Sequence, residues 1–281
     1  MKVGCAVMLH SNFQFSILYG MTFGIADLSV IPMRREKSER SEMVSQLLFG
    51  EVYEVLEEED KWLNIRLLHD NTCGWIDRKI YKEVSEEFVK KYQASDQMVM
   101  SEVFNLVVKK GDWENKLVVA GSVLPFYDAY AKKLMIGEEE YAVKGFLREV
   151  GIESLRELLI QYALMYYNAP YRWGGRTPNG VDNAGLVQMV YRLAGITLPR
   201  YIEQQACEGL TLSFLEEAQP GDLAFFGDSL GAVTHVGILW EQGRIIHASG
   251  KVRVDKIDHH GIFNEDLKRY THTLKVVKQI F

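Results

Sequence analysis

Tyr171-Arg-Trp-Gly-Gly-Arg-Thr-Pro-Asn-Gly-Val-Asp182-Asn183-Ala184-Gly185-Leu-Val-Gln188 is the most informative stretch of this chain. Gly174, Gly175 and Gly180, placed around Arg176, predict a tight loop, because glycine accepts positive φ and lets two backbones approach closely. The loop runs into a helix predicted from about Asn183 to Ala194, with Leu186, Val190 and Leu193 on its buried side and Gly195 as its stop. Position 183 therefore begins a helix, where the macrodipole favours negative charge. Upstream, Ser154-Leu-Arg-Glu157 is a capping-box pattern that opens another helix. Leu155, Leu158, Leu159, Tyr162 and Met165 form its apolar face, and it ends before Ala169-Pro170. Downstream come strand-like runs at Asp222-Leu-Ala-Phe-Phe226, His235 to Trp240, Arg244 to Ala248 and Leu274 to Phe281. Residues 149–281 thus read as an α+β unit of helices followed by an antiparallel meander.

The rest of the chain reads differently. Residues 21–85 carry short alternating runs, Val52-Tyr-Glu-Val-Leu56 and Trp62-Leu-Asn-Ile-Arg-Leu67, around the acidic turn Glu57-Glu-Glu-Asp60, with Gly74-Trp75-Ile76 as a closing strand. The pattern resembles a bacterial SH3-like barrel. Residues 86–148 open with a connecting helix at Glu86 to Tyr92. Strands follow at Leu106 to Val108, Lys116 to Ala120 and Ala142 to Phe146, broken by Gly111, Gly121 and Gly137. A second SH3-like barrel is expected there. Residues 1–20 read as an N-terminal extension, with Met21 as an alternative start.

Bulk properties narrow the function. The chain has 281 residues, 47% of them hydrophobic and 25% charged, which is a globular composition. A net charge of -6 argues against nucleic acid as a partner, since phosphate binding needs a concentrated positive field. Cys5, Cys73 and Cys207 sit at no metal-like spacing and are expected to be free thiols. No apolar run approaches the roughly 20 residues that span a bilayer. Met1 to Leu9 has one positive charge and a short apolar stretch that His10-Ser11-Asn12 ends early, and Cys5 comes too soon for a lipoprotein signal. A cytoplasmic protein is the expectation, with the periplasm or export as the alternative.

The stretch from Tyr171 to Gln188 resembles the nucleophile motif of the NlpC family of papain-like cell-wall peptidases. Pro220-Gly-Asp-Leu-Ala-Phe-Phe226, Thr234-His235-Val-Gly-Ile and Ile246-His247-Ala-Ser extend the resemblance, and Ser41 to Glu51 resembles the first SH3-like domain of NlpC-type dipeptidyl-peptidases. It covers nearly the whole chain from about Gly24. It implies an α+β fold: a papain-like domain at the C-terminus preceded by one or two small all-β SH3-like barrels. It also implies hydrolysis of the γ-D-glutamyl to diamino-acid bond of murein peptides, without metal or organic cofactor. The resemblance implies a base at His235, an orienting group at His247, the nucleophile position at Asn183, and substrate-binding positions at Tyr171, Asp182, Ala184, Tyr201 and Ile202, with Asp182 just before the nucleophile position.

A cysteine peptidase needs a thiolate, a base within hydrogen-bond reach, and a group that orients the base. In the family the residues after the Asp read Cys-Ser-Gly; here they read Asn183-Ala184-Gly185. The family's dipeptidyl-peptidases also follow Leu-Pro-Arg with an Asp-Ser pair that binds the substrate's free amine. Here Leu198-Pro199-Arg200 is followed by Tyr201-Ile202. A carboxamide cannot form a thioester, and loss of a nucleophile costs on the order of a million-fold in turnover in a comparable hydrolase. The resulting expectation is a pseudoenzyme that binds peptidoglycan-derived peptides in a cleft between barrel and C-terminal domain without cutting them. One alternative is an altered hydrolase that uses His235 to activate water, or Cys207 as nucleophile. Another is an interaction scaffold whose SH3-like domains carry the binding.

Overall fold

The computed structural model describes residues 21–113, 115–145, 154–228, 230–241 and 243–281. The N-terminal extension 1–20 with Cys5, and the first residues of the expected 149–281 region, lie outside the described residues.

The N-terminal unit is all β. Its strands are β1 (Thr22–Ile25), β2 (Val30–Arg34), β3 (Met43–Leu48), β4 (Val52–Glu58), β5 (Trp62–Leu67), β6 (Cys73–Asp77) and β7 (Glu83–Val84). They pair in the order β3-β2-β6-β5-β4-β1-β7. β5 shows why the sequence folds this way: Leu63, Ile65 and Leu67 are buried while Trp62, Asn64 and Arg66 face outward, a period of two that only a half-buried strand satisfies. The run Glu57–Asp60 closes the β4–β5 hairpin.

Helix α1 (Glu86–Ala94), capped by Ser85, leads into β8 (Met98–Val99), β9 (Phe104–Lys109), β10 (Asn115–Val119), β11 (Val123–Leu124), β12 (Lys133–Ile136) and β13 (Glu139–Val143). Four of these strands form the sheet β10-β9-β13-β12, and β8 pairs with β11. Its inner residues Val107, Val118, Leu134 and Tyr141 share one core with Phe23, Ile25, Phe49 and Val52 of the first unit. The two β units are thus packed directly on each other.

The C-terminal unit holds α2 (Leu155–Met165), β14 (Arg176–Thr177), β15 (Gly180–Val181), α3 (Asn183–Leu193), α4 (Ile202–Gln205) and β16 (Leu210–Leu212). Then follow β17 (Leu223–Gly227), β18 (Val233–Leu239), β19 (Arg244–Ser249), β20 (Lys251–Asp258), β21 (Gly261–Asn264) and β22 (Arg269–Gln279). The sheet order is β16-β22-β17-β18-β19-β20-β21, with β21 also pairing with β22. The Ser154–Glu157 capping box is formed in both directions. Helices α2 and α3 pack on one face of the sheet, where Leu159, Tyr162, Leu186 and Val190 meet Phe225, Val236 and Ile246. The meander differs from the sequence expectation at two places. It contains β20 and β21, which the sequence pattern does not predict, and β22 begins at Arg269 rather than Leu274. β20 is rich in charge, β21 is only four residues long, and β22 opens on the polar Arg269-Tyr-Thr-His-Thr; all three are held by backbone pairing.

The α3 unit is bolted to the first barrel by a buried ionic cluster. Fully buried Arg176 donates from Nη1 to Glu51 Oε2 at 3.0 Å and from Nη2 to Glu51 Oε1 at 2.9 Å. Arg192 Nη1 approaches the same Oε1 at 2.9 Å, and the backbone N–H of Leu48 donates to Oε2 at 2.8 Å. Among the described residues, no helix is long and apolar enough to cross a membrane.

Candidate active site

Asp182 builds the start of α3. Its Oδ1 accepts from the Gly185 N–H at 2.6 Å as the N-cap, and its Oδ2 accepts from the Gly174 N–H at 2.8 Å. Arg200 clamps both oxygens from behind, at 3.1 and 2.5 Å. Both oxygens of Asp182 are thus engaged within the framework that holds the loop and the helix start. Gly174 has φ +73°, and a Cβ there would lie 2.2 Å from the Met43 carbonyl oxygen of the barrel. Gly174→Ala is expected to destabilise the protein by about 2 kcal/mol or more, from the left-handed backbone and the clash together. A urea midpoint equal to that of the unmodified protein would contradict this.

Asn183 opens α3, half-buried. Its Oδ1 accepts the Ala184 N–H at 2.6 Å, which fixes the amide orientation. Its Nδ2 then faces His235 Nδ1 at 2.9 Å. His235 Nε2 lies 2.8 Å from His247 Nδ1, and His247 Nε2 lies 3.0 Å from Asp255 Oδ2. An amide nitrogen can only donate, so His235 Nδ1 accepts and its Nε2–H donates to His247. The His247 Nε2–H then donates to the Asp255 carboxylate, and every proton in the chain is placed. Gly237 on β18 stands opposite His247 on β19, and a Cβ at Gly237 would meet His247 Cβ at 2.9 Å. The missing side chain is what lets the two rings converge.

Sequence reasoning misses two members of this group. Asp255 lies on β20, two residues beyond Arg253, the register partner of His247, and is itself held by Arg253 Nη2 at 2.8 Å. The turn at Ser249-Gly250 signals a hairpin that could have placed it. His272 on β22 stacks on His235 with centroids 4.1 Å apart, and Phe226 flanks the pair. Burial, reinforced by His247 and His272, pushes the pKa of His235 well below its ordinary range. Burial, with His247, pushes His272 down to about 4. His69 in the barrel interface is lowered by burial and by Arg192.

Three histidines are thus held neutral by the fold, while the unfolded chain binds protons at them near the ordinary value of 6.5. Below that pH the unfolded state carries more protons, so stability rises with pH. This contribution is complete above about pH 6.5 and is lost as pH falls toward 4. Urea midpoints at about pH 7.5 and about pH 5 check this; an equal or higher midpoint at the lower pH would contradict it.

The remaining predicted residues are dispersed around Asn183. Ala184 is buried, its carbonyl accepting from Gln205 Nε2 at 2.9 Å. Tyr171 is half-buried, and burial together with the Asp182 charge raises its phenol. Tyr201 and Ile202 line a cleft with Trp173, Val44, Glu42 and Asn183. The cleft is therefore bounded by β3 and its preceding loop on one side and by α3 and α4 on the other. Trp173 Nε1 donates to Glu42 Oε1 at 2.6 Å across it. Cys207 is exposed just past α4, its Sγ turned to the Glu203 carbonyl at 3.3 Å.

Comparisons with known proteins cover this helix start and the His-His-Asp relay together. Residues 168–271 match the model of the NlpC/P60 family, and residues 33–79 match that of the bacterial dipeptidyl-peptidase SH3 domain. The chain carries an NlpC/P60 domain behind a bacterial SH3 domain. It is 28% identical over 253 residues to dipeptidyl-peptidase 6 of Lysinibacillus sphaericus, covering 81% of this chain and 89% of that protein. It is 25% identical to the gamma-D-glutamyl-L-lysine dipeptidyl-peptidase of Bacillus subtilis, covering 73% and 71%. An NlpC/P60 family protein of Bacillus cereus superposes with a TM-score of 0.77 at 17% identity, over 92% of this chain and 99% of that one, and shares the fold. The NlpC/P60 domain thus supplies α3, the relay and most of the sheet, and the SH3 domain supplies the opposite wall of the cleft.

Proposed function

We propose that this protein is a catalytically silent NlpC/P60 homologue that binds peptidoglycan-derived peptides in the cleft between its SH3 and NlpC/P60 domains without cleaving them. The side chain of Asn183 carries this reading. It stands at the helix start, 2.9 Å from His235 Nδ1, where a nucleophile would have to be. An amide has no ionisable proton to give and no nucleophilic anion to form. It also occupies the lone pair with which His235 would act as a base, so the His235–His247–Asp255 relay ends on a donor.

The ligand class follows from the names of the relatives, one of which is a gamma-D-glutamyl-L-lysine dipeptidyl-peptidase. The walls of the cleft add a constraint. Tyr201 and Ile202 give one side of the cleft an aromatic and an aliphatic surface, while the Asp182 carboxylate is neutralised by Arg200. Such a surface suits the apolar part of a peptide, and Glu42 and Glu203, which line the same cleft, add carboxylates beside it. Titration of the protein with L-Ala-γ-D-Glu-diaminopimelate, followed by tryptophan fluorescence, tests this. Saturable binding is expected, weakened about tenfold or more by Tyr201→Ala, or ~1.4 kcal/mol. Absence of saturable binding to any murein peptide would overturn it.

The intact His235–His247–Asp255 relay favours one second reading, a slow hydrolase in which His235 activates water. It requires turnover that disappears in His235→Ala.

A further inference from the structure

The geometry points to a divalent transition-metal site of the zinc, copper or nickel class at the tip of the β20–β21 hairpin, formed by Asp258, His259 and His260. Asp255 of the relay lies on β20, three residues before Asp258, but the three side chains at the tip are not among the residues that line the cleft. Its register is fixed by the Ile257↔Ile262 and Asp258↔Gly261 pairs, so His259-His260 is a two-residue loop held at both ends. Donor atoms of the three side chains all lie within 4.8 Å of one another. The two imidazoles are exposed and lie side by side, with centroids 3.9 Å apart.

The spacing fits an ion. His260 Nδ1 and Asp258 Oδ1 are 3.5 Å apart. Two donors bound tetrahedrally to one zinc at 2.0–2.1 Å stand about 3.4 Å from each other. Metal binding at this pair therefore requires little movement. The Asp258 carboxylate is also held in place. Its Oδ1 accepts the His260 backbone N–H at 2.8 Å, and its Oδ2 accepts from the Tyr270 hydroxyl. Partners that fix a ligating carboxylate in this way are what give a metal site its geometry. Two imidazoles and one carboxylate suit zinc, copper and nickel, whereas calcium and magnesium prefer all-oxygen sites. Three protein donors leave coordination positions open. Asp258 and His259 also border a groove with Trp240, Arg244 and Ile257, from which a further ligand could reach the ion.

Calorimetric titration of the full chain with zinc chloride tests the site, with cobalt as a spectroscopic substitute. One saturable site is expected, with a cobalt spectrum in the visible. His259→Ala/His260→Ala is expected to weaken zinc binding at least tenfold. Asp258→Asn, which keeps the oxygen that closes the turn but loses the charge, is expected to weaken it less. Magnesium should not compete. Zinc affinity unchanged in the double variant, no saturable binding below about millimolar zinc, or equal binding of magnesium would each overturn the assignment. Both histidines are exposed, and an unchanged circular dichroism spectrum of each variant will show that lost binding is not lost fold.

Discussion

Asn183→Cys/Ala184→Ser is expected to hydrolyse L-Ala-γ-D-Glu-diaminopimelate, while the unmodified chain leaves it intact. A cysteine at position 183 would stand at the N-terminus of α3, where the helix dipole and the free N–H groups lower a thiol pKa. It would face His235 Nδ1, which the Asn183 amide contacts at 2.9 Å. With the amide gone, the Nδ1 lone pair is free to take the thiol proton, and His247 and Asp255 are already aligned behind it. The gain over the unmodified chain should approach the cost of removing a nucleophile, on the order of 10⁴- to 10⁶-fold. His235→Ala in the same background should abolish it. A double variant that folds and binds peptide yet stays inert would place the loss of chemistry elsewhere in the cleft, with Tyr201 and Ile202 the first residues to change.

The largest stability effect is expected at Glu51. Glu51→Ala would leave Arg176 as a buried guanidinium without its carboxylate, remove a partner from Arg192, and free the Leu48 N–H. Breaking a buried ion pair from one side costs about 3–5 kcal/mol, because a charge is left without compensation in a poorly solvated place. Glu51→Gln keeps the acceptor oxygen and should cost less. The cleft should suffer with the fold, since the same contact holds the SH3 wall against the NlpC/P60 domain. Urea denaturation measures this, and a loss below about 1 kcal/mol would show that the cluster relaxes or takes up water.

These two predictions draw on parts of the molecule that are unequally visible in the sequence. The start of α3 is legible because glycines, an N-cap and helical periodicity coincide at Asp182–Leu193. His235 and His247 can be paired because each sits in a short apolar run that reads as a strand. Asp255 is hidden among the 38 acidic residues of the chain, since its role comes from strand register and not from local pattern. His272 lies in Arg269-Tyr-Thr-His-Thr, which has no apolar period and becomes a strand only by pairing with β17 and β21. Glu51 is the clearest case. It follows Gly50, and no local pattern marks it for burial, yet it is buried because Arg176, more than a hundred residues away, is brought onto it. Asp182 stands out in the sequence, but only through its place beside position 183; the structure assigns its oxygens to the framework.

The most direct test of a silent site is mass spectrometry of L-Ala-γ-D-Glu-diaminopimelate after prolonged incubation with a stoichiometric amount of the unmodified protein. Intact tripeptide, recovered from a complex that titration shows to be saturated, is the predicted result. Release of L-Ala-γ-D-Glu, lost again in His235→Ala, would contradict it and show that the relay behind Asn183 still performs hydrolysis.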